Sequence, residues 1–373
     1  MQGDTVTIRI ALIVLVASLL LGIVGCQKSE APTPSPTAST PAAAPATPTP
    51  EPAKCNDCIN VTVDNFVRAE TDRTFFGVGK LQEGFGKFRS FRVPTPLNEQ
   101  TVPRVNRDTL YSVAVFDLDG GPVTITLPDS AKRFETIMVI DEDHYVHGVY
   151  YGAGSHTLTK QQIGTRYVLA AVRILVNPSD PLDLEQVHAL QDAIRVSQTS
   201  AGSLDLPKWD EASQKKVRDA LTVLGDTLPD LRYAFGAKGQ VDEVRHLIAT
   251  ATAWGGNPDK DAIYLNIVPP RNDGTTIYRL IVKEVPVDGF WSITVYNAKG
   301  YLEANPLNAY SFNSVTAKKD SNGAVTVEFG GCDGKIPNCL PIMPGWNYMV
   351  RLYRPRPEVL NGKWTFPEAQ PMQ

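Results

Sequence analysis

Asn106, Arg107 and Asp108 stand side by side at the start of an apolar, strand-like run, and Tyr111 lies just inside that run. An arginine guanidinium presents a planar set of donors that binds carboxylates and phosphates, and a carboxyl group can act as general acid or base. We therefore consider Asn106, Arg107 and Tyr111 as ligand-binding residues and Asp108 as a catalytic residue. The alternative is a structural pair in which Arg107 and Asp108 bond to the backbone of the loop.

Residues 141–147, Asp-Glu-Asp-His-Tyr-Val-His, form the densest group of ionisable side chains. Asp141 and His144 are further candidates for a catalytic acid or base. His144 is also the one candidate metal ligand. However, His147 lies three residues later, which on a strand places the two side chains on opposite faces. The run also lacks the glycine and the distant glutamate of a calcium-binding loop. We therefore predict no metal and no other cofactor, and a solvated loop is the alternative for this segment.

Residues 152–156, Gly-Ala-Gly-Ser-His, place a serine beside a histidine. This is not the Gly-x-Ser-x-Gly turn of serine hydrolases, and the neighbouring segments do not alternate strands with helices. The chain also lacks a His-Glu-x-x-His zinc motif and a phosphate-binding loop. None of these motifs predicts a reaction.

Aromatic residues are frequent in the C-terminal part of the chain, and Trp291 and Tyr310 are two more ligand-binding candidates. Such rings can form a platform for a sugar, but large aromatic side chains also build protein cores. Both alternatives stay open for the whole set, which is Trp291, Tyr296, Tyr301, Tyr310, Trp346, Tyr348, Tyr353 and Trp364.

Four cysteines, Cys55, Cys58, Cys332 and Cys339, follow an N-terminal Cys26. An even number in an oxidising compartment favours disulfides, and we predict the local pairs Cys55–Cys58 and Cys332–Cys339. The first pair also has the spacing of a redox motif. That motif needs a preceding strand and a following helix, whereas here a proline-rich segment precedes it. A four-cysteine zinc site is a further alternative.

Short runs of alternating apolar and polar residues, separated by turn-forming residues, occupy two parts of the chain. They include 105–118, 123–127, 136–140, 145–151, 167–176, 291–296, 324–329 and 348–353. Such runs predict antiparallel strands. The fold class is therefore mainly β with a helical insertion, an α+β arrangement of two jelly-roll or β-sandwich-like domains.

Helical spacing of apolar residues appears between these two parts, around Leu184–Ile194, Trp209–Leu224 and Val241–Ala253. We predict an N-terminal β domain at 55–180, which opens with a helix near 63–82. A helical segment at 181–256 and a C-terminal β domain at 257–373 follow.

Residues 1–25 form a short apolar leader that ends in Ile-Val-Gly before Cys26. Small residues before a cysteine resemble a bacterial lipobox, so we predict lipidation of Cys26 and an outer-membrane lipoprotein that faces the periplasm or the cell surface. A plain signal peptide and an uncleaved anchor are the alternatives. Residues 26–54 are rich in Pro, Thr and Ala, and their composition predicts a disordered tether.

The formal net charge of -4 leaves no basic excess to neutralise phosphates, so nucleic acid is excluded as a partner. Hydrophobic residues make up 42% of the chain, which is ordinary for a globular protein with a core. The expected partners are a membrane, reached through the lipid anchor, and a small molecule or carbohydrate. The sequence does not indicate an oligomeric state.

Several motifs resemble two uncharacterised families. Residues 106–112, 127–129, 165–167, Arg173 and 190–191 are similar to DUF1254. Residues 288–296, 308–311, 320–323, 338–341, 350–353 and 359–367 are similar to DUF1214. The resemblance implies two β-rich, jelly-roll-like domains with helical segments between them. It implies no activity and supplies no catalytic residues.

Two hypotheses for function follow. The favoured one is an envelope protein that binds a small polar or carbohydrate ligand between its β domains. The alternative is a hydrolase or lyase of envelope or environmental substrates that uses Asp108, Asp141 or His144. A structural envelope protein without a site is a third interpretation.

Overall fold

A computed structural model describes residues 55–100 and 102–372, all of which belong to one compact unit of the chain. The predicted signal peptide at 1–25, the lipidation site Cys26 and the tether at 26–54 lie outside the described residues. Within the described part, no helix combines the length and the apolar character needed to cross a membrane.

Sixteen strands and six α-helices occur in the described ranges. The strands are β1 (Arg89–Ser90), β2 (Thr109–Asp117), β3 (Val123–Leu127), β4 (Glu135–Asp141), β5 (Val146–Tyr151), β6 (Gly154–Leu158), β7 (Tyr167–Leu175), β8 (Arg195–Gln198), β9 (Ala262–Ile267), β10 (Tyr278–Val282), β11 (Trp291–Tyr296), β12 (Ser311–Asn313), β13 (Val325–Phe329), β14 (Cys339–Leu340), β15 (Asn347–Tyr353) and β16 (Gln370–Pro371). The helices are α1 (Phe66–Phe76), α2 (Lys160–Ile163), α3 (Pro181–Ala193), α4 (Glu211–Gly225), α5 (Glu243–Thr252) and α6 (Pro357–Leu360).

The N-terminal strands form a sandwich of two sheets. A five-stranded sheet has the order β1-β2-β7-β4-β5, and a three-stranded sheet has the order β6-β3-β8. Alternate residues of the strands, such as Leu110, Ile137 and Ile174, meet Val123 and Ile125 in a shared core. The period-2 pattern of the sequence therefore positions one face of each strand in this core.

The C-terminal strands form a second sandwich, from sheets β14-β13-β10-β16 and β12-β11-β15-β9. Its core contains Trp291, Ile293, Val327, Trp346 and Val350. Neighbouring strands in the described sheets are antiparallel, except for the short parallel pair β13–β14. The predicted fold class, two antiparallel sandwiches with helices between them, is confirmed.

Helices pack beside the N-terminal sandwich. The predicted leading helix is α1, and a π-helical stretch extends it to Leu81. Phe66 of α1 packs against Leu221 of α4 and Ile248 of α5. The three helices predicted within 181–256 are present, but the same segment also contains β8, which pairs with β3. Because β8 is only four residues long, its alternation is too short to predict a strand.

Two disulfides close short loops, as the local pairing predicted. Cys55 bonds to Cys58 at the start of the described chain, and Cys332 bonds to Cys339. The second bridge fixes the loop between β13 and β14, so it supports the edge of the C-terminal sandwich.

Candidate functional site

One row of side chains crosses the larger N-terminal sheet. Tyr111 on β2 is the direct partner of Arg173 on β7, and Thr136 and Tyr151 continue the row through β4 and β5. Leu110 of β2, Ile137 of β4 and Ile174 of β7 point into the sandwich core, so strand alternation turns the neighbouring residues of this row to the opposite face. Tyr111 and Arg173 therefore emerge on the face that meets the rest of the chain.

The C-terminal sandwich covers the end of the row that contains Tyr111 and Arg173. Tyr353 on β15 stacks on Phe290 with ring centroids 4.3 Å apart, and it lies 5.5 Å from Phe134, which immediately precedes β4. Asn106 joins the two parts, since its Nδ2 donates to the Tyr111 hydroxyl at 3.0 Å and to the Tyr353 hydroxyl at 3.3 Å. The two sandwiches thus meet through polar and aromatic side chains.

Arg173 is buried at this junction, with 8% of its surface exposed. Its Nη2 donates to the Gly255 carbonyl at 3.1 Å, and its guanidinium lies 5.3 Å from the centre of the Tyr111 ring. No carboxylate of the described residues lies within 4.0 Å of it. A buried cation without a counter-ion is costly, so its presence requires an explanation.

The guanidinium of Arg173 nevertheless stays charged. Burial acts to lower its pKa, but the neighbouring hydroxyls of Tyr111 and Tyr264 outweigh that effect and the net shift is upward. The positive charge is therefore stabilised by tyrosine oxygens rather than by an acid.

Three tyrosine hydroxyls surround this charge, and each accepts a hydrogen bond. Tyr111 and Tyr353 accept from Asn106, and Tyr264 accepts from Asn257 Nδ2 at 2.7 Å. For the hydroxyl protons of Tyr264 and Tyr353, the described residues supply no acceptor, although a phenol can both donate and accept; the Tyr111 hydroxyl has the Thr109 hydroxyl beside it. We call Arg173, Tyr111, Tyr264 and Tyr353 the arginine–tyrosine cluster, and its donors outnumber its acceptors.

Asp108 lies beside the cluster but is enclosed, with 2% of its surface exposed. Its Oδ2 accepts from Ser292 Oγ of β11 at 2.6 Å, and its backbone N–H donates to Asn106 Oδ1 at 2.8 Å. Burial raises the pKa of Asp108, against the opposing effect of Arg351. Asp108 therefore bonds its loop to the C-terminal sandwich, which is a structural role different from the loop-backbone bond considered for it.

Arg351 of β15 holds the same loop from the C-terminal side. Its guanidinium donates to Thr294 Oγ1 at 3.0 Å, to the Arg104 carbonyl at 2.9 Å and to the Tyr296 hydroxyl at 2.8 Å. Arg104 has a φ of 58°, a left-handed conformation that is uncommon for a residue with a side chain. Arg351 thus fixes a strained loop that carries Asn106 into the arginine–tyrosine cluster.

Arg107 and Tyr310 contact each other. The Arg107 guanidinium lies 5.1 Å from the centre of the Tyr310 ring and donates to the Thr95 carbonyl at 3.3 Å. Burial lowers the pKa of Arg107, with Tyr310 opposing the shift. These two ligand-binding candidates are therefore brought together, although Tyr310 itself is 5% exposed.

Trp291 is not brought to the junction. It is 6% exposed and lies in the core of the C-terminal sandwich, where its ring meets those of Phe312 and Phe366. Six aromatic residues of the predicted set are buried, namely Trp291, Tyr296, Tyr310, Trp346, Tyr348 and Tyr353. Their placement corresponds to the core alternative rather than to an open sugar platform.

His144 is completely buried and both of its ring nitrogens have partners. Nδ1 lies 2.8 Å from Thr250 Oγ1, and Nε2 accepts the Gly255 N–H at 2.8 Å. Burial, followed by the nearby His246, holds the pKa of His144 well below its ordinary value. A neutral, fully bonded imidazole has no free nitrogen for a metal, and the described residues contain no group of three or more potential metal ligands.

Asp141 pairs with His147 instead of His144. Asp141 Oδ2 lies 2.8 Å from His147 Nε2, while Oδ1 accepts the N–H groups of Asp143 and Tyr145. Because β5 begins at Val146, His144 lies in the preceding turn, and strand parity does not relate the two histidines. Because strand parity does not apply to this turn, the contact of His147 with Asp141 could not be predicted from their spacing.

The sequence also did not single out Arg173 and Tyr264 as site residues, and it named Tyr353 only within the aromatic set. Arg173 lies between Val172 and Ile174 in an apolar strand, where a charged residue is a signal of a special role. The two tyrosines carry no comparable signal, because only the pairing of distant strands brings them to Arg173.

Comparison with known proteins finds two matched segments. Residues 85–162 match the model of a protein of unknown function (DUF1254), and residues 270–357 match that of a protein of unknown function (DUF1214). Asn106, Asp108 and Tyr111 lie in the first match, and Arg351 and Tyr353 lie in the second. No curated protein matches the chain.

A solved structure shares the fold. The crystal structure of the VPA0106 protein from Vibrio parahaemolyticus matches with a TM-score of 0.64 and 17% identity, over 83% of this chain and 98% of that chain. An uncharacterized protein from Burkholderia cenocepacia matches at 11% identity and a TM-score of 0.48, over 85% of this chain and 91% of that chain. Residues 85–162 thus match DUF1254 and residues 270–357 match DUF1214, in the order that the sequence motifs predicted.

Proposed function

We propose that this protein binds a small anionic ligand, with a carboxylate as the preferred group, at the arginine–tyrosine cluster. The observation that carries the proposal is the excess of donors: a buried Arg173 guanidinium without a carboxylate, surrounded by three tyrosine hydroxyls, of which those of Tyr264 and Tyr353 have no acceptor for their protons in the described structure. An anion would satisfy both the charge and the donors.

Exposure supports access to this cluster. Tyr111, Tyr264 and Asn106 are each only half-buried, whereas Arg173 behind them is nearly enclosed. Small-molecule sites commonly combine aromatic walls with a few fixed polar groups, and they often lie between domains. The aromatic rings of the cluster provide such walls, which suits a ligand with an apolar part next to its carboxylate.

An acid–base role for the predicted catalytic residues has less support. Asp108 is bonded to Ser292 and His144 to Gly255 and Thr250, and both side chains are buried. Asp141 is bonded to His147. Binding therefore remains our preferred function over hydrolase or lyase chemistry.

The test is anion binding by the full-length protein and by Arg173→Met. Calorimetry and thermal-shift assays measure the affinity for acetate, benzoate, succinate and phosphate, and so show which class of anion binds. Glucose is the neutral control. At a ligand concentration of a hundred times Kd, a bound anion stabilises the wild type by about 2.7 kcal/mol. Arg173→Met is expected to lose binding by at least about tenfold while keeping or raising Tm, because an uncompensated buried charge is removed.

Arg279→Met is the matched control, because Arg279 is a surface arginine of β10 paired with Glu328. It should bind anions as the wild type does. Equal anion affinity in Arg173→Met and the wild type, or no anion binding by the wild type, would refute the proposal.

We also propose that the protein is a lipoprotein of the cell envelope. Support comes from the lipobox-like Ile-Val-Gly before Cys26 and from two disulfides, which persist in oxidising compartments. Labelled fatty acid should be incorporated into the wild type but not into Cys26→Ala, and labelling of both would contradict this assignment.

A further inference from the structure

Tyr111 has surroundings that favour its ionised form. Its hydroxyl accepts from Asn106 Nδ2 at 3.0 Å, and the Arg173 guanidinium lies 5.3 Å from its ring centre. A cation and a fixed amide donor both stabilise a phenolate more than a phenol. Although burial raises the pKa of Tyr111, Arg173 and the hydrogen bonds from Asn106 and Thr109 outweigh it, and the net shift is downward.

Tyr353 shares the Asn106 donor but has the opposite surroundings. Burial and the nearby Asp108 raise the pKa of Tyr353 well above its ordinary value. The pKa is also raised for Tyr145, Tyr151, Tyr167 and Tyr348. The contact with Arg173 thus distinguishes Tyr111 from Tyr353, the other tyrosine that shares the Asn106 donor.

The groups that face Tyr111 come from four elements. Arg173 faces it from β7, Tyr353 from β15 and Tyr264 from β9, and Asp108 lies on the loop before β2 with its Oδ2 turned to Ser292. The single charge in contact with the Tyr111 ring is therefore the Arg173 cation, among the residues that the structure describes.

We propose that Tyr111 is a pH-sensitive donor of the anion site, whose phenol hydroxyl bonds to the bound anion and whose ionisation at alkaline pH expels it. This inference rests on the proposed function of the arginine–tyrosine cluster. The Tyr111 proton passes to solvent, and the phenolate then forms an internal ion pair with Arg173. The site loses one donor and its net positive charge, which removes both attractions for an external anion.

A titration without ligand tests whether Tyr111 ionises at lower pH than the other tyrosines. Absorbance at 295 nm of the full-length protein should show one phenolate that forms at lower pH than the other tyrosines. This first step should be absent in Tyr111→Phe and retained in Tyr233→Phe, a control at a position with 62% exposure. A first step that persists in Tyr111→Phe, or a wild type without it, overturns the assignment.

The affinity for benzoate, measured as a function of pH, tests whether ionisation of Tyr111 expels the bound anion. Wild-type affinity should fall about tenfold for each pH unit above the first spectroscopic step, because only the phenol form binds. Tyr111→Phe should bind more weakly at pH 7 and show no such fall. Benzoate binding that continues unchanged through the step overturns the expulsion.

The two proposals fail in different ways. A wild type that shows the low-pH phenolate but binds no anion at any pH refutes the proposed function, and the expulsion with it. A wild type that binds anions without the low-pH phenolate refutes only the role of Tyr111.

Discussion

His144 and Arg173 bond to the two sides of one residue, Gly255. His144 Nε2 accepts the Gly255 N–H at 2.8 Å, and the Gly255 carbonyl accepts from Arg173 Nη2 at 3.1 Å. Gly255 has a φ of 77°, a conformation that favours glycine. The imidazole thus holds the backbone that orients the guanidinium, so His144 contributes to the site without facing it.

Replacing His144 with leucine should affect both stability and anion binding. The Gly255 N–H would lose its buried acceptor, which costs roughly 1–3 kcal/mol. Because Gly255 also positions Arg173, anion affinity should fall, by less than in Arg173→Met. Urea unfolding and calorimetry measure the two effects, and His188→Leu in α3 is the control. Unchanged stability and affinity in His144→Leu would contradict this link.

Acid should destabilise the wild type through the same histidine. The pKa of His144 in the folded state lies well below its ordinary value of 6.5, because of burial and then His246. The unfolded chain therefore takes up a proton that the folded protein refuses. The stabilisation is present above about pH 6.5 and is lost as pH falls below it. Between pH 7 and 5, the free energy of unfolding should decline less steeply in His144→Leu than in the wild type. Equal slopes would argue against a role of His144 in acid destabilisation.

Glu135 should destabilise the protein at alkaline pH. It is 1% exposed, neither carboxyl oxygen has a hydrogen-bond partner, and burial raises its pKa from 4.5 to about 7. A raised folded pKa means that stability is complete below about pH 4.5 and is lost as pH rises through 7. The loss at pH 8 amounts to about 3 kcal/mol.

Glu135→Gln is the variant that tests this loss. It should unfold at a higher temperature than the wild type at pH 8 and show little difference at pH 4.5. The same change at Glu185, an exposed position of α3, should have little effect at either pH. A Glu135→Gln variant that is no more stable at pH 8 would show that the carboxylate is better solvated than its surroundings indicate.

The sequence predicted most of the fold because strand alternation is a local signal. The strands β2, β3, β11 and β15 follow runs in which apolar and polar residues alternate, and the helices of 181–256 follow helical spacing. The paired families and the two disulfides were also predicted. The strands β6, β8, β9, β10, β12, β14 and β16 were not predicted; in β8, for example, four residues next to a helix carry too little periodicity.

The candidate site was predicted only where its residues are neighbours in sequence. Asn106, Asp108 and Tyr111 belong to one loop and strand, so their proximity is local. Arg173 and Tyr353 reach Tyr111 through the pairing of β2 with β7 and through contact between the sandwiches. Alternation shows which face of a strand is buried, but it does not show which distant strand lies opposite.

The loop disulfide Cys332–Cys339 should stabilise the C-terminal sandwich. Closing a loop of this length removes unfolded-state entropy worth about 2–3 kcal/mol. Cys332→Ser with Cys339→Ser should therefore lower the free energy of unfolding by about that amount, measured in urea without reductant. The disulfide Cys55–Cys58 closes a shorter loop. The matched double serine variant at these two positions should therefore lower the free energy of unfolding by less. The opposite ranking would show that the N-terminal bridge has the larger structural role.

Arg351 should be the strongest single link between the two sandwiches. Its three hydrogen bonds reach Thr294, the Arg104 carbonyl and Tyr296, and Tyr296 in turn donates to the Val105 carbonyl at 2.8 Å. Replacing Arg351 with methionine leaves these acceptors unpaired and removes the cation that opposes the raised pKa of Asp108.

The expected cost of Arg351→Met is about 3 kcal/mol or more, as for other broken buried charge networks. Arg279→Met removes an exposed pair with Glu328 and should cost about 0–1 kcal/mol. Urea unfolding of both variants is monitored by tryptophan fluorescence and, in parallel, by anion affinity. The two readouts distinguish a loosened junction from global destabilisation. Because Arg351 fixes the loop that carries Asn106, anion affinity should fall at urea concentrations where the variant is still folded. A small loss of stability with full affinity would show that the junction does not depend on Arg351.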